Sequence, residues 1–225
     1  MTYDTANRNQ PGRSLVSRYT VREEIFNSVS HGIGALLSIA ALVILVAFAS
    51  VHGSVRQIVS FSIYGFTLFF LYLSSTLYHS VFHEKTKEVF RVFDHVSIYL
   101  LIAGSYTPIT LVSMRGAWSW VLFGMVWALA AVGIILNVIS VEKVKRVSLA
   151  LYIIMGWLII IAVRPMLDMV PHGLLAWLLV GGLIYTFGVI FYVTKRIPYN
   201  HGIWHLFVLG GSIVHYLAIL FYLAR

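Results

Sequence analysis

The chain contains no cysteine, which excludes a disulfide framework and any thiolate metal site, so a metal bound here must take histidine and carboxylate ligands. Charge is also sparse. Asp, Glu, Lys and Arg make up 11% of the 225 residues while 60% are hydrophobic. The mean hydropathy of +0.88 lies far outside the soluble globular range. This is the composition of an integral membrane protein. Equally missing are a glycine-rich phosphate loop at a strand–helix junction, a paired acidic dyad and a tandem repeat. The apolar runs are continuous rather than alternating over about ten residues, which argues against a membrane barrel.

What is present is a series of long apolar runs separated by short charged loops. They cover roughly 27–50, 58–82, 92–114, 117–139, 147–163, 173–193 and 203–223, each near the ~20 residues that a membrane-crossing helix needs. The sequence therefore predicts an all-α, seven-transmembrane-helix bundle, with Arg164-Pro165 ending the fifth span. Residues 1–22, polar and arginine-bearing with Pro11-Gly12 and no apolar core, read as a flexible cytoplasmic tail rather than a signal peptide. Residues 23–225 form the membrane domain. Arg8, Arg13, Arg18, Arg22, Lys85, Lys87, Arg91, Lys143, Lys145, Arg146, Lys195 and Arg196 fall on the side of the N-terminus, against Arg56, Arg115, Arg164 and Arg225 on the other. Twelve against four predicts a cytoplasmic N-terminus and an outside C-terminus. The net charge of +8 is then mostly a topology signal beside anionic lipid, and no nucleic-acid partner is expected.

Polar residues at depth carry the functional signal. Seven of the eight acidic residues are assigned to tails or loops, which leaves Asp94 as the carboxylate inside a span, and an ionisable group there marks a functional site by default. His79 lies one turn from the end of the second span, and His201 and His205 enter the last one from the same side. On a helix His201 and His205 project from one face about 6 Å apart, a spacing at which two imidazoles can share a metal ion. Three imidazoles leave a tetrahedral zinc with one open position, the arrangement of catalytic sites, where the metal activates water. Asp94 is placed to accept the proton of that water or to orient it. Ser75, one turn before His79, can support a developing oxyanion.

Ser75-x-x-x-His79, Asp94 in Phe-Asp-His-x-x-Ile-Tyr followed by Ala103-Gly-Ser-Tyr-Thr-Pro108, Asn200-His201-x-x-x-His205, and Glu24-x-x-Asn27-x-x-Ser30-His31-Gly32 together resemble the hemolysin III family. That family is the bacterial branch of the superfamily of progestin and adiponectin receptors, with the alkaline ceramidases as distant relatives. The resemblance implies a seven-helix protein of the bacterial inner membrane with zinc held by His79, His201 and His205, and with Asp94 and Ser75 beside it. It also implies a role in membrane lipid homeostasis, with a membrane lipid or fatty acyl substrate.

Each residue has a plainer alternative. Asp94 can pair with Arg91 one turn away, and Ser75 can bond its own helix backbone. His95 points about 100° away from Asp94, so packing is expected of it. His215 lies about 15 Å beyond His205, too deep for the metal, and reads as a buried hydrogen-bonding histidine. Asn27 and His31 are expected to support the site or the packing rather than bind metal. Pro108 should bend the third span. Three functions fit these readings: a zinc-dependent hydrolase of a lipid amide or ester, a lipid-responsive regulator with structural zinc, and a pore-forming cytolysin. The last is least favoured because the spans are too apolar to line an aqueous channel.

Overall fold

The computed structural model describes residues 19–224; the tail expected at 1–22 lies outside the described residues up to position 18. The described chain is helical, with no strand. Its elements are α1 (Val21–His52), α2 (Val55–Ser80), α3 (Glu84–Pro108), a π-helical turn (Ile109–Ser113), α4 (Ala117–Gly156), a 3-10 turn (Leu158–Ala162), α5 (Val163–Met169), α6 (His172–Val193) and α7 (Asn200–Leu223). Among the described residues six stretches are long and apolar enough to cross a membrane. Neighbours in sequence pack side by side from α1 to α4, α6 packs on α7, and α7 closes back on α1. Among the long apolar stretches, α2 and α3 are the most buried, while α6 keeps most of its surface outward. Such apolar outer faces suit lipid contact.

One stretch, Ala117–Met169, takes the place of two expected spans and is 53 residues long. As a straight helix it would run about 80 Å, against a hydrocarbon core of about 30 Å. It is not straight. Ser140 has extended backbone angles (φ −168°, ψ 103°) inside α4, and its hydroxyl accepts from Lys143 N at 3.4 Å as a helix cap would. Asn137 Nδ2 then donates to Ser148 Oγ at 2.8 Å and to Gly133 O at 2.9 Å. Residues eleven apart on one helix would be separated by roughly 16 Å, so the chain turns back on itself at Ser140.

The proline expectations divide. At Pro108, which has no N–H, the helix widens into the π-turn Ile109–Ser113, the usual accommodation of a missing helical bond. Arg164-Pro165 does not end a helix: the regular α-helix stops at Gly156, a 3-10 turn follows, and Pro165 sits in the first turn of α5. There a missing N–H costs little, because first-turn donors have no intrahelical partner.

Helix α1 begins before its apolar run. Thr20 and Glu23 form a reciprocal capping box, which carries the helix back to Val21 and brings Glu24, Asn27, Ser30, His31, Gly34 and Ala35 onto one buried face at the three- and four-residue spacing of a helix.

Candidate metal centre

The end of α2 and the start of α7 converge at one end of the bundle. His79 is in the last turn of α2, and His201 and His205 are in the first two turns of α7. One nitrogen from each of these three imidazoles lies within 4.8 Å of the other two, and all three residues are buried. Ring centroids are 4.6 Å apart for His201 and His205 and 5.2 Å from His79 to each.

The start of α7 is set by backbone geometry that the sequence does not announce. Tyr199 adopts the left-handed conformation (φ 55°, ψ 22°), which costs an ordinary residue roughly 1–2 kcal/mol. Its N–H reaches Glu23 Oε1 at 3.4 Å, its ring packs edge-on against Phe26, and Asn200 Nδ2 donates to Phe191 O at 3.0 Å. One turn on, Gly202 lets α7 rest on α1: a Cβ there would lie 2.2 Å from Phe26 Cδ1 and 2.9 Å from Asn27 Oδ1.

Two of the imidazoles are held from behind. His79 Nδ1–H donates to Glu24 Oε2 at 2.5 Å, and Lys87 Nζ donates to the other carboxylate oxygen at 2.8 Å. His205 Nδ1–H is shared between Asn27 O and Ser30 Oγ, both at 3.3 Å. Each bond commits Nδ1 as the donor and leaves Nε2 with its lone pair. His79 Nε2, His205 Nε2 and both nitrogens of His201 are buried without a hydrogen-bond partner among the described residues. An unsatisfied buried polar atom costs about 1–3 kcal/mol, and three imidazoles whose free nitrogens converge form a donor set that could hold a metal ion. Three neutral nitrogens backed by a carboxylate and a carbonyl fit an imidazole-preferring divalent ion.

Glu24 corrects the assignment of acidic residues made from the sequence. It is 3% exposed and belongs to α1, not to a solvated flank, because the Thr20–Glu23 capping box extends the helix by more than a turn. Lys87, counted as a loop cation, is likewise buried on α3 as its partner. The signal that finds Glu24 is the capping box together with its spacing to Asn27 and His31.

Asp94 is buried on α3 and lines one cavity with His201, Tyr19 and Trp204; it is not a member of the three-imidazole group. Arg91, its expected alternative partner, turns to Glu142 at 3.8 Å, while Asp94 Oδ2 has His95 Nδ1 at 3.8 Å. Ser75 Oγ is buried and without a hydrogen-bond partner among the described residues. This is unusual here, since Thr76, Ser80, Ser97 and Thr107 all bond carbonyls of their own helices. His95 donates to Arg91 O and His215 to Leu178 O, so both are structural. Tyr19, placed in the tail from sequence, stacks on His201 with centroids 4.9 Å apart. Burial, and then the neighbouring Tyr78, push its phenol above the usual range, which keeps it a neutral hydroxyl.

An apolar cavity of about 160 Å³ lies among α3, α4, α6 and α7, with His31 of α1 and Leu71 of α2 also in its wall. It adjoins a second of about 270 Å³ reaching toward the 3-10 turn and α5. Ser105, Tyr106, Trp157 and His215 border both.

The chain is 49% identical to Hemolysin-3 of Bacillus cereus over 203 residues, covering 90% of this chain and 92% of that protein. It is 46% identical to the Hemolysin-3 homolog of Bacillus subtilis (strain 168), covering 92% and 97%. It is also 37% identical to the human monocyte to macrophage differentiation factor over 169 residues, 72% of this chain and 70% of that one. The haemolysin-III-related family model matches residues 19–216, a span that takes in all three imidazoles, Glu24, Asp94 and Ser75, and the chain therefore belongs to the haemolysin-III-related family.

Proposed function

We propose that this membrane protein is a zinc-dependent hydrolase of a lipid amide or ester, working in membrane lipid homeostasis. The observation that carries the reading is the convergence of uncommitted buried imidazole nitrogens on His79, His201 and His205, with Asp94 lining one cavity beside His201 and also the wall of a larger apolar cavity. Zinc held by these three side chains would supply Lewis acidity, polarising a carbonyl and making water acidic. The residues do the rest. The cavity takes the acyl chain and excludes water from it. Asp94, facing both that cavity and the one at His201, accepts a proton from the water that attacks the carbonyl carbon. It then returns the proton to the nitrogen or oxygen that leaves as the acyl bond breaks. Ser75 Oγ–H has no competing acceptor among the described residues and donates to the oxygen on which charge develops. Glu24 and Asn27 keep His79 and His205 in the tautomer that presents Nε2.

In the same reading the 53-residue stretch crosses twice, reversing at Ser140, which makes seven crossings with the N-terminus and the metal centre on the cytoplasmic side of a bacterial inner membrane. The excess of Lys and Arg in the loops on that side supports this orientation.

Zinc-loaded protein should free fatty acid from a lipid amide or ester presented in detergent or nanodiscs. Asp94→Asn should keep the metal and lose about 10²–10⁴-fold in rate, the usual worth of a general base. Equal turnover in both forms removes Asp94 from the mechanism. Full metal occupancy with no turnover on any acyl lipid would instead favour a regulator with structural zinc.

A further inference from the structure

His31 is the one buried histidine next to the metal centre that the hydrolase reading does not use. It is 2% exposed and sits on α1 one turn beyond Asn27. Its ring lies parallel to that of His205, with centroids 3.6 Å apart and planes 10° apart, and meets Tyr72 edge-on at 5.0 Å. Neither of its ring nitrogens has a hydrogen-bond partner among the described residues. It lines the apolar cavity together with Asp94 and Trp204. It is not part of the group whose ligand atoms converge, so a role as a metal ligand does not account for it.

Packing does not account for it either. A phenylalanine would stack on His205 and meet Tyr72 as well, without leaving a buried donor and a buried acceptor unsatisfied at about 1–3 kcal/mol each. Six other polar side chains of the cavity wall are committed to the protein itself. Ser105 donates to Ile102 O, Tyr106 to Gly156 O, Tyr152 to His95 O, Thr186 to Gly182 O and His215 to Leu178 O, and Tyr185 is bonded to Ser212. They offer little to a ligand. His31, which lines the same cavity as Asp94, offers both a donor and an acceptor.

We infer that His31 is a ligand-binding residue that recognises a polar group able both to donate and to accept a hydrogen bond, a hydroxyl or an amide next to the acyl chain. A neutral imidazole is complementary to such a group, whereas an ether, a simple ester or a carboxylate only accepts and leaves one ring nitrogen unmatched. This deepens the proposed function by assigning preference for a hydroxyl- or amide-bearing lipid to a residue outside the metal ligands.

The test uses two ligands that no hydrolase can cleave, 1-dodecanol and dodecyl methyl ether, which differ in the hydroxyl donor. Binding of each is measured on full-length protein in nanodiscs, with bound metal assayed in parallel. Wild type should bind the alcohol at least tenfold more tightly than the ether, about 1.4 kcal/mol. His31→Phe should abolish that preference while leaving ether affinity and metal content unchanged, and His31→Gln, which keeps a donor and an acceptor, should retain part of it. The inference is overturned if wild type does not distinguish the two ligands, or if His31→Phe still does. It is also overturned if both variants lose their metal, since His31 would then only brace His205. The hydrolase reading fails separately, if no acyl lipid is cleaved while the preference for the alcohol persists.

Discussion

Replacing Glu24 by glutamine probes the support behind the metal centre more sharply than removing a ligand. The Glu24 carboxylate takes the Nδ1–H of His79 at 2.5 Å and the Nζ of Lys87 at 2.8 Å, and all three side chains are at most 4% exposed. Glutamine is nearly isosteric but neutral, so two effects follow. The histidine loses a charged acceptor that raises the basicity of Nε2 and fixes its orientation, a change that typically lowers metal affinity 10- to 100-fold, or about 1.4–2.7 kcal/mol. Lys87 is left as a buried cation without its counter-charge, which costs roughly 3–5 kcal/mol of stability. The two effects separate in the double variant Glu24→Gln/Lys87→Met, which removes the stranded cation. Thermal stability should largely return, while metal affinity stays low. The assays are chelator competition for affinity and thermal unfolding in one detergent for stability. A Glu24→Gln protein that binds metal within twofold of wild type would refute the reasoning, as would a double variant that regains affinity along with stability.

Two further predictions concern the placement of helices. Gly202→Val sets a branched side chain against Phe26 and Asn27, where even a Cβ would lie at 2.2 and 2.9 Å. It should push α7 from α1, lower stability by about 1–3 kcal/mol and reduce bound metal; a fully occupied variant would contradict that. Because the chain has no cysteine, single replacements report sidedness cleanly. Lys143→Cys beside the Ser140 reversal should react with a membrane-impermeant thiol reagent only from the cytoplasmic face, and Arg115→Cys only from the opposite one, whereas labelling of both from one face would remove the extra crossing.

The helical stretches were legible because the membrane enforces them: a backbone in hydrocarbon must satisfy its own hydrogen bonds, so an apolar run near 20 residues has few alternatives. The expected runs at 58–82, 173–193 and 203–223 fall on α2 (Val55–Ser80), α6 (His172–Val193) and α7 (Asn200–Leu223). The three imidazoles were legible for a related reason, since unpaired polar side chains at depth are costly and are kept for function. Glu24 and Lys87 were misplaced because a charge next to an apolar run ordinarily points to water, and only the Thr20–Glu23 capping box marks the helix as already begun. Tyr19 carries no local pattern, and the pairing of His31 with Asn27 suggested only support or packing: what distinguishes both is contact with His201 and His205, about 170 or more residues away in the chain. The 3-10 turn after Gly156 has no proline to announce it, whereas Arg164-Pro165 looks like a stop but occupies the one part of a helix where proline is tolerated.

The most direct measurement is the metal content of protein purified from native membranes with a histidine-free tag, beside His79→Ala and His205→Ala. The account predicts about one zinc ion per chain in wild type and its loss in both variants. Wild-type protein that is metal-free, or variants that keep the ion, would contradict it.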